Sequence, residues 1–266
     1  MPVQSSPPEN QTPERIKGVF SMVKESFVGT GATRKKMSQT VHYFAEEDDR
    51  GEITVRALNP HFIPSGPGKR VTLEELLANF LPDPMIYLHK VLPAMRQVEE
   101  SVERADRHRN QGELFTAEFD YKEALSLDEE HVRATFGLGL TYLDRGENDN
   151  AAIVFHRVIE LEHAFDAAHK HLFNEFGIRL RKNKMYPHAL RYYFRIFTKI
   201  KDDDHLLYNI SRTLFEMCRH RPARHFLDKA MAIDPELKEA AALGKAIEAE
   251  LAKIEKKPKG KGGGAR

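Results

Sequence analysis

The chain has 266 residues, with 41 Lys and Arg against 40 Asp and Glu for a formal net charge of +1. That length allows one large domain or two small ones, and the balanced charge argues against a dedicated nucleic-acid binder, which would carry a strongly basic surface. A single cysteine, Cys218, excludes an intramolecular disulfide and a cysteine-based zinc site, and no apolar run approaches the roughly 20 residues that span a bilayer. The first eleven residues are polar and proline-rich, without the apolar core of a signal peptide, so a soluble, cytoplasmic protein is expected.

In chain order, residues 1–14 are rich in Pro, Ser and Gln and are expected to be disordered. Residues 15–82 read as a small α+β module. Thr40–Ala45 and Ile53–Leu58 are short runs of β-branched and aromatic residues around the turn material of 46–51, which predicts a β-hairpin, joined by a strand near Gly18–Val23. The stretch from Asn59 to Gly68 holds three prolines and two glycines and is expected to be a loop. Thr72 followed by Glu75 is a capping box opening a short helix that ends near Pro82. From Pro84, helices lead into a repeated region, so 83–255 is expected to be one helical array.

The clearest repeat reads Thr135, Leu138-Gly139, Tyr142, Gly146, Ala151 and Phe155. Stepping 34 residues back finds Ala105, His108, Ala117, Tyr121 and Ala124. Stepping forward needs four extra residues and then finds Phe176-Gly177, Leu180, Ala189 and Tyr193. A further 34 gives Leu207, Ser211, Leu214, Ala223, Leu227, Ala230 and the exit Asp234-Pro235. In each unit a small residue (Ala105, Gly139, Gly177, Ser211) is followed about 12 residues later by another (Ala117, Ala151, Ala189, Ala223). Small residues at both places let two helices of a hairpin approach closely. Residues 236–255 are Ala-, Leu-, Glu- and Lys-rich and fit a terminal capping helix.

This pattern resembles the tetratricopeptide repeat, a pair of antiparallel helices in about 34 residues. The resemblance covers residues 98–237. It implies a mainly α fold: a right-handed superhelix of about four helix hairpins plus a cap, here preceded by the α+β module. It also implies that the first helices of successive repeats line a concave groove that takes a protein or peptide. Projecting the register puts Arg133, Phe136, Leu140 and Leu143 on that face, then His171, Asn174, Ile178 and Arg181, then Tyr208, Asn209, Arg212 and Phe215. Phe136, Leu140 and Ile178 could equally complete packing between repeats. The chaperone-binding subclass of the family grips a carboxylate with Lys and Asn on one first helix. The corresponding places here hold Val102 and Asp106, or Phe136 and Leu140, so that clamp is absent and a partly apolar segment is expected.

No enzyme chemistry is specified, and no cofactor or metal is expected. Gly29–Lys36 could cradle an anion but lacks the strand-to-helix context of a dinucleotide fingerprint, and Ser65–Arg70 lacks P-loop spacing. A small-ligand or nucleotide sensor built on the Gly29–Lys36 loop is the rival reading. His163, His169, His171 and Glu175 cluster in sequence, yet His169 and His171 diverge on a helix and two ligands make a poor site. Cys218 reads as a core or boundary thiol, and Asp202-Asp203-Asp204 as a helix-start cap. Residues 253–266 carry six basic side chains against Glu255, leaving the other 252 residues at −4. The tail from 256 to 266 is therefore read as a basic, Gly-rich, disordered extension. Its alternative use is electrostatic association with nucleic acid.

Overall fold

A computed structural model describes residues 15–28, 35–161 and 169–256. The readings made for 1–14, for Gly29–Arg34, for His163 and for residues 257–266 lie outside the described residues. Two compact units divide the chain: residues up to Arg104 with Lys122–His131, and Ala105–Tyr121 with Val132 onward. The line between them therefore runs through the first helical hairpin, not along the expected boundary at 82 and 83.

In the first unit an antiparallel sheet has the order β4-β3-β2-β1-β5. Its strands are β1 (Lys17–Val28), β2 (Lys35–Glu47), β3 (Ile53–Leu58), β4 (Pro64–Val71) and the two-residue β5 (Leu81–Pro82). The expected hairpin is present, with Tyr43 opposite Ala57 and Glu47 opposite Ile53. The expected first strand is longer than its apolar run, pairing with β2 from Lys17 to Val28. The loop expected from Asn59 to Gly68 is corrected: only its first half is a loop. Asn59 Oδ1 accepts the N–H groups of His61 at 2.9 Å and Ile63 at 3.0 Å and closes that turn. From Pro64 the chain is an edge strand, where a missing N–H is tolerated. A bulge absorbs the glycines, so that Val55 pairs Lys69 but Ala57 already pairs Ser65.

Alternation divides the sheet's side chains between two cores. Ala45, Ile53, Val55 and Val71 pack with Leu76 and Phe80 of the segment around α1 (Leu73–Asn79). The capping box is formed: Glu75 N–H donates to Thr72 Oγ1 and Thr72 N–H donates to Glu75 Oε2, both at 3.1 Å. On the other face Val19 and Phe44 pack with Val91, Tyr87 and Met95. Tyr87 and Val91 come from a π-helical turn (Tyr87–Val91) and Met95 from α3 (Leu92–Asn110), both running on from α2 (Pro84–Ile86). The segment after α4 (Leu114–Leu127) is fastened to the same unit. Asn59 Nδ2 donates to Leu127 O at 2.8 Å, and Gly66 N–H to Glu130 Oε2 at 2.9 Å.

The second unit continues the hairpins with α5 (Val132–Asp144), α6 (Asn148–Glu160), α7 (Lys170–Lys182), α8 (Tyr186–Lys199), α9 (Asp204–Glu216) and α10 (His220–Ile233), followed by α11 (Lys238–Lys256). The repeat residues Ala105, Ala117, Tyr121, Ala124, Leu138, Gly139, Tyr142, Ala151, Phe155, Gly177, Ala189, Tyr193, Ser211, Ala223 and Ala230 are all buried, whereas Pro235 is exposed at the exit. Ser211 Oγ donates to Ala223 O at 2.7 Å, which fixes the small-to-small contact of the fourth hairpin. Asp203 caps α9 as expected, accepting Leu206 N–H at 2.8 Å. α11 buries Ala240, Leu243 and Ile247 and so closes the array.

The turns repeat down to the backbone angle. Gly112, Gly146, Lys184 and Cys218 occupy one repeat position, and their φ angles are 81°, 74°, 60° and 58°. After each, an N–H reaches back to the preceding helix: Glu113 to His108 O, Glu147 to Tyr142 O, Met185 to Leu180 O and Arg219 to Leu214 O, all at 2.9 Å. This is the Schellman closure, which wants glycine at its left-handed residue. Cys218 is thus an exposed turn residue, correcting the core or boundary reading. Lys184→Gly and Cys218→Gly are each expected to stabilise by about 0.5–1 kcal/mol, since relief of left-handed strain exceeds the entropy of glycine. Gly146→Ala is expected to do the reverse. Urea unfolding checks the signs, and a loss of stability in both glycine variants would count against strain at these turns.

Candidate functional site

The candidate site is the row of first helices in the second unit: the end of α3, then α5, α7 and α9. Packing takes three expected residues out of the exposed face. Phe136 and Leu140 are fully buried and Leu143 nearly so, which corrects their placement as groove residues. The reason is aromatic packing: Phe136 meets the Phe176 ring edge-on at 5.6 Å and Tyr192 at 6.5 Å. Asn209 is also buried, with its backbone carbonyl accepting Thr213 Oγ1 at 2.7 Å. His171 is exposed, while Arg133, Asn174, Ile178, Arg181, Tyr208, Arg212 and Phe215 are partly buried.

Charge ties these helices together in a chain that sequence reasoning missed. Asp106 accepts Arg133 Nε at 2.8 Å and also the Tyr121 hydroxyl. Burial first, and then that bond, push the Tyr121 phenol well above its ordinary range. Arg109 lies 3.5 Å from Asp144 and 3.3 Å from Glu175, so a residue of α3 reaches both α5 and α7. Burial works against the Arg109 charge, but Glu175, Tyr121 and Asp144 together outweigh it and the guanidinium holds its proton more tightly than usual. Arg179 meets Asp144 at 2.8 Å. Arg181 and Arg212 converge on Glu216, Arg212 through Nε at 2.9 Å. The structure thus brings Arg181 and Arg212 together. Among the described residues no group of three or more His, Cys, Asp or Glu could hold a metal ion.

A signal for this ladder was available in the last turns of the first helices, where Arg109, Asp144, Arg181 and Glu216 alternate in sign from repeat to repeat. The side chains of Arg133, Arg179 and Arg212 remain partly exposed. Asn174 Oδ1 is buried without a hydrogen-bond partner among the described residues. Ile178 of α7 and Tyr208 and Phe215 of α9 are partly buried apolar or aromatic residues on the same helices as Arg179, Arg181 and Arg212. No described helix is long and apolar enough to cross a membrane.

No family model and no curated protein matches the chain. Solved structures do. A tetratricopeptide repeat protein from Parabacteroides merdae is 16% identical with a TM-score of 0.47, covering 60% of this chain and 62% of that one. PilF of Pseudomonas aeruginosa is 14% identical with a TM-score of 0.45, covering 59% and 70%. MamA of Desulfovibrio magneticus RS-1 is 17% identical with a TM-score of 0.44, covering 60% and 93%. Four hairpins in a common register, their turns closed by one repeated bond and their end closed by α11, give this chain a tetratricopeptide-type fold.

Proposed function

We propose that the chain is a non-enzymatic adaptor or scaffold that takes a protein or peptide segment along the groove formed by its first helices. The observation that carries this reading is the ion-pair ladder. It runs from Asp106 to Glu216 and ties the first helices to one another, while the side chains of Arg133, Arg179 and Arg212 stay partly exposed. A preformed face loses little entropy on binding, and arginine beside aromatic residues is the chemistry of interface hot spots. Arg133, Arg179 and Arg212 would take carboxylates or main-chain carbonyls of the segment, and Tyr208, Ile178 and Phe215 its apolar side chains. Lacking the Lys and Asn clamp, the groove prefers a partly apolar segment to a bare chain terminus.

Photo-crosslinking of the intact chain in an extract of its source tests the reading. A photoreactive phenylalanine at Tyr208 or His171 is expected to capture one protein, and the same probe at the exposed second-helix residue Ile153 is expected to miss it. Tyr208→Ala with Arg212→Ala is expected to weaken that complex about tenfold, the effect of one hot-spot pair. Capture from Ile153 alone, or unchanged affinity in the double variant, would sink groove binding.

A further inference from the structure

The first unit holds a cavity that the helical array does not use. Strand pairing sets Arg56 opposite Phe44 and Thr54 opposite Glu46. Opposed side chains in an antiparallel ladder point to the same face, so these four form one panel. Met95, Val98 and Glu99 of α3 stand across from it, with Asp128 and His131 from the segment after α4. The space between measures about 240 Å³. Its floor is apolar, and Phe44, Ile63 and Val98 there are buried. A second cavity of about 390 Å³ shares Phe44, Glu46 and Arg56, so Arg56 stands at the junction of the two.

None of the carboxylates around this space pairs with Arg56. Glu46 holds Lys17 at 2.6 Å, Glu99 lies 3.8 Å from His131 Nε2, and Asp128 Oδ1 accepts Glu130 N–H at 3.1 Å. Arg56 has no ion-pair partner among the described residues. Its position depends on Gly68, where an added Cβ would come within 2.6 Å of Thr54 Cγ2 and 3.4 Å of Arg56 Nε. Gly68, within Ser65–Arg70, therefore gives the arginine stem room to lie across β4, a use unrelated to phosphate.

These features select a ligand by its chemistry. The floor asks for hydrocarbon, and the open guanidinium asks for an anion able to accept two parallel N–H bonds. The surrounding carboxylates repel a ligand of net negative charge and attract a cation placed beside that anion. We propose that this cavity binds a small zwitterion with an apolar side chain, an α-amino acid. Its carboxylate sits on Arg56, its ammonium faces Glu99 and Asp128, and its side chain lies against Phe44, Met95 and Val98. The volume falls below the roughly 300–1,000 Å³ of drug-sized sites, as a ligand of this size requires.

Isothermal titration of the intact chain with L-leucine, L-methionine and L-phenylalanine tests the proposal. The amides, which lack the carboxylate, and the N-acetyl derivatives, which lack the ammonium, are its controls. Saturable binding of at least one free amino acid is expected, with its amide and its N-acetyl form each at least about tenfold weaker, or roughly 1.4 kcal/mol. Arg56→Gln is expected to abolish the preference for carboxylate over amide. No heat from any of the three at up to about 10 mM, where even millimolar binding would register, overturns the proposal. So does equal binding of the amide or the N-acetyl form, or an unchanged carboxylate preference in Arg56→Gln. The ligand-side comparison needs no variant, so a misfolded Arg56→Gln would not shield the idea.

Discussion

Gly139→Ala is expected to destabilise the chain by about 1–3 kcal/mol, the cost of overpacking a core, and Gly139→Arg by more because it adds a buried charge. An alanine Cβ at this place would lie 2.6 Å from Phe176 Cε2 and 3.0 Å from Val154 Cγ1. The Phe176 ring cannot yield, because it is fully buried between Phe136 and Tyr192, its centroid 5.6 Å and 5.5 Å from theirs. Helix propensity points the other way, favouring alanine over glycine by about 1 kcal/mol in a helix interior. Sterics win here and lose at Gly244, where the added Cβ would meet Leu227 Cδ2 at 3.5 Å, an ordinary contact. Gly244→Ala is therefore expected to stabilise by about 0.5–1 kcal/mol. Urea unfolding of the two alanine variants is the measurement; equal midpoints would show that the Gly139 contact is not a tight one.

That glycine also shows how far the sequence could be read. The 34-residue spacing located Gly139 as a small residue in a close helix contact, and the contact exists. Its nearest neighbours, however, belong to Phe176 of the next hairpin and Val154, not to Ala151. Periodicity reports which position must be small, whereas the neighbour that demands it depends on how repeats stack. Burial shows the same limit: Phe136 and Leu140 project onto the groove side by register, yet their bulk draws them into the stack between α5 and α7. In the first unit the hairpin was legible because its two strands are runs of β-branched and aromatic residues around polar turn material. β4 was not, because Pro64, Gly66, Pro67 and Gly68 carry every signal of a loop while an edge strand tolerates them through a bulge. Left-handed φ at Gly146 was foreseeable. At Lys184 and Cys218 it follows only from repeat position, since neither residue type asks for it.

Glu216→Ala is expected to cost about 2–3 kcal/mol, below the roughly 3–5 kcal/mol for stranding a fully buried charge because the pair is partly exposed. Glu216 is the partner of Arg181, whose side chain is only 16% exposed and whose Nε already lacks an acceptor among the described residues. Removing the carboxylate leaves that guanidinium and the one on Arg212 side by side without a counter-charge. Arg212→Ala alone should cost under about 1 kcal/mol, because its side chain is 41% exposed and water replaces the lost partner. Replacing both buried members, as Arg181→Met with Glu216→Leu, should return stability to within about 1 kcal/mol of the parent, since an apolar pair avoids the desolvation of two charges. A urea-unfolding cycle over these variants measures the coupling. If the paired replacement is as unstable as Glu216→Ala, the ion pair is a net source of stability and the ladder needs no other reason to exist. If it recovers, the charges between α7 and α9 persist without stabilising the fold. Loss of the Tyr208 crosslink in that stable variant would then assign them to the partner held along the first helices.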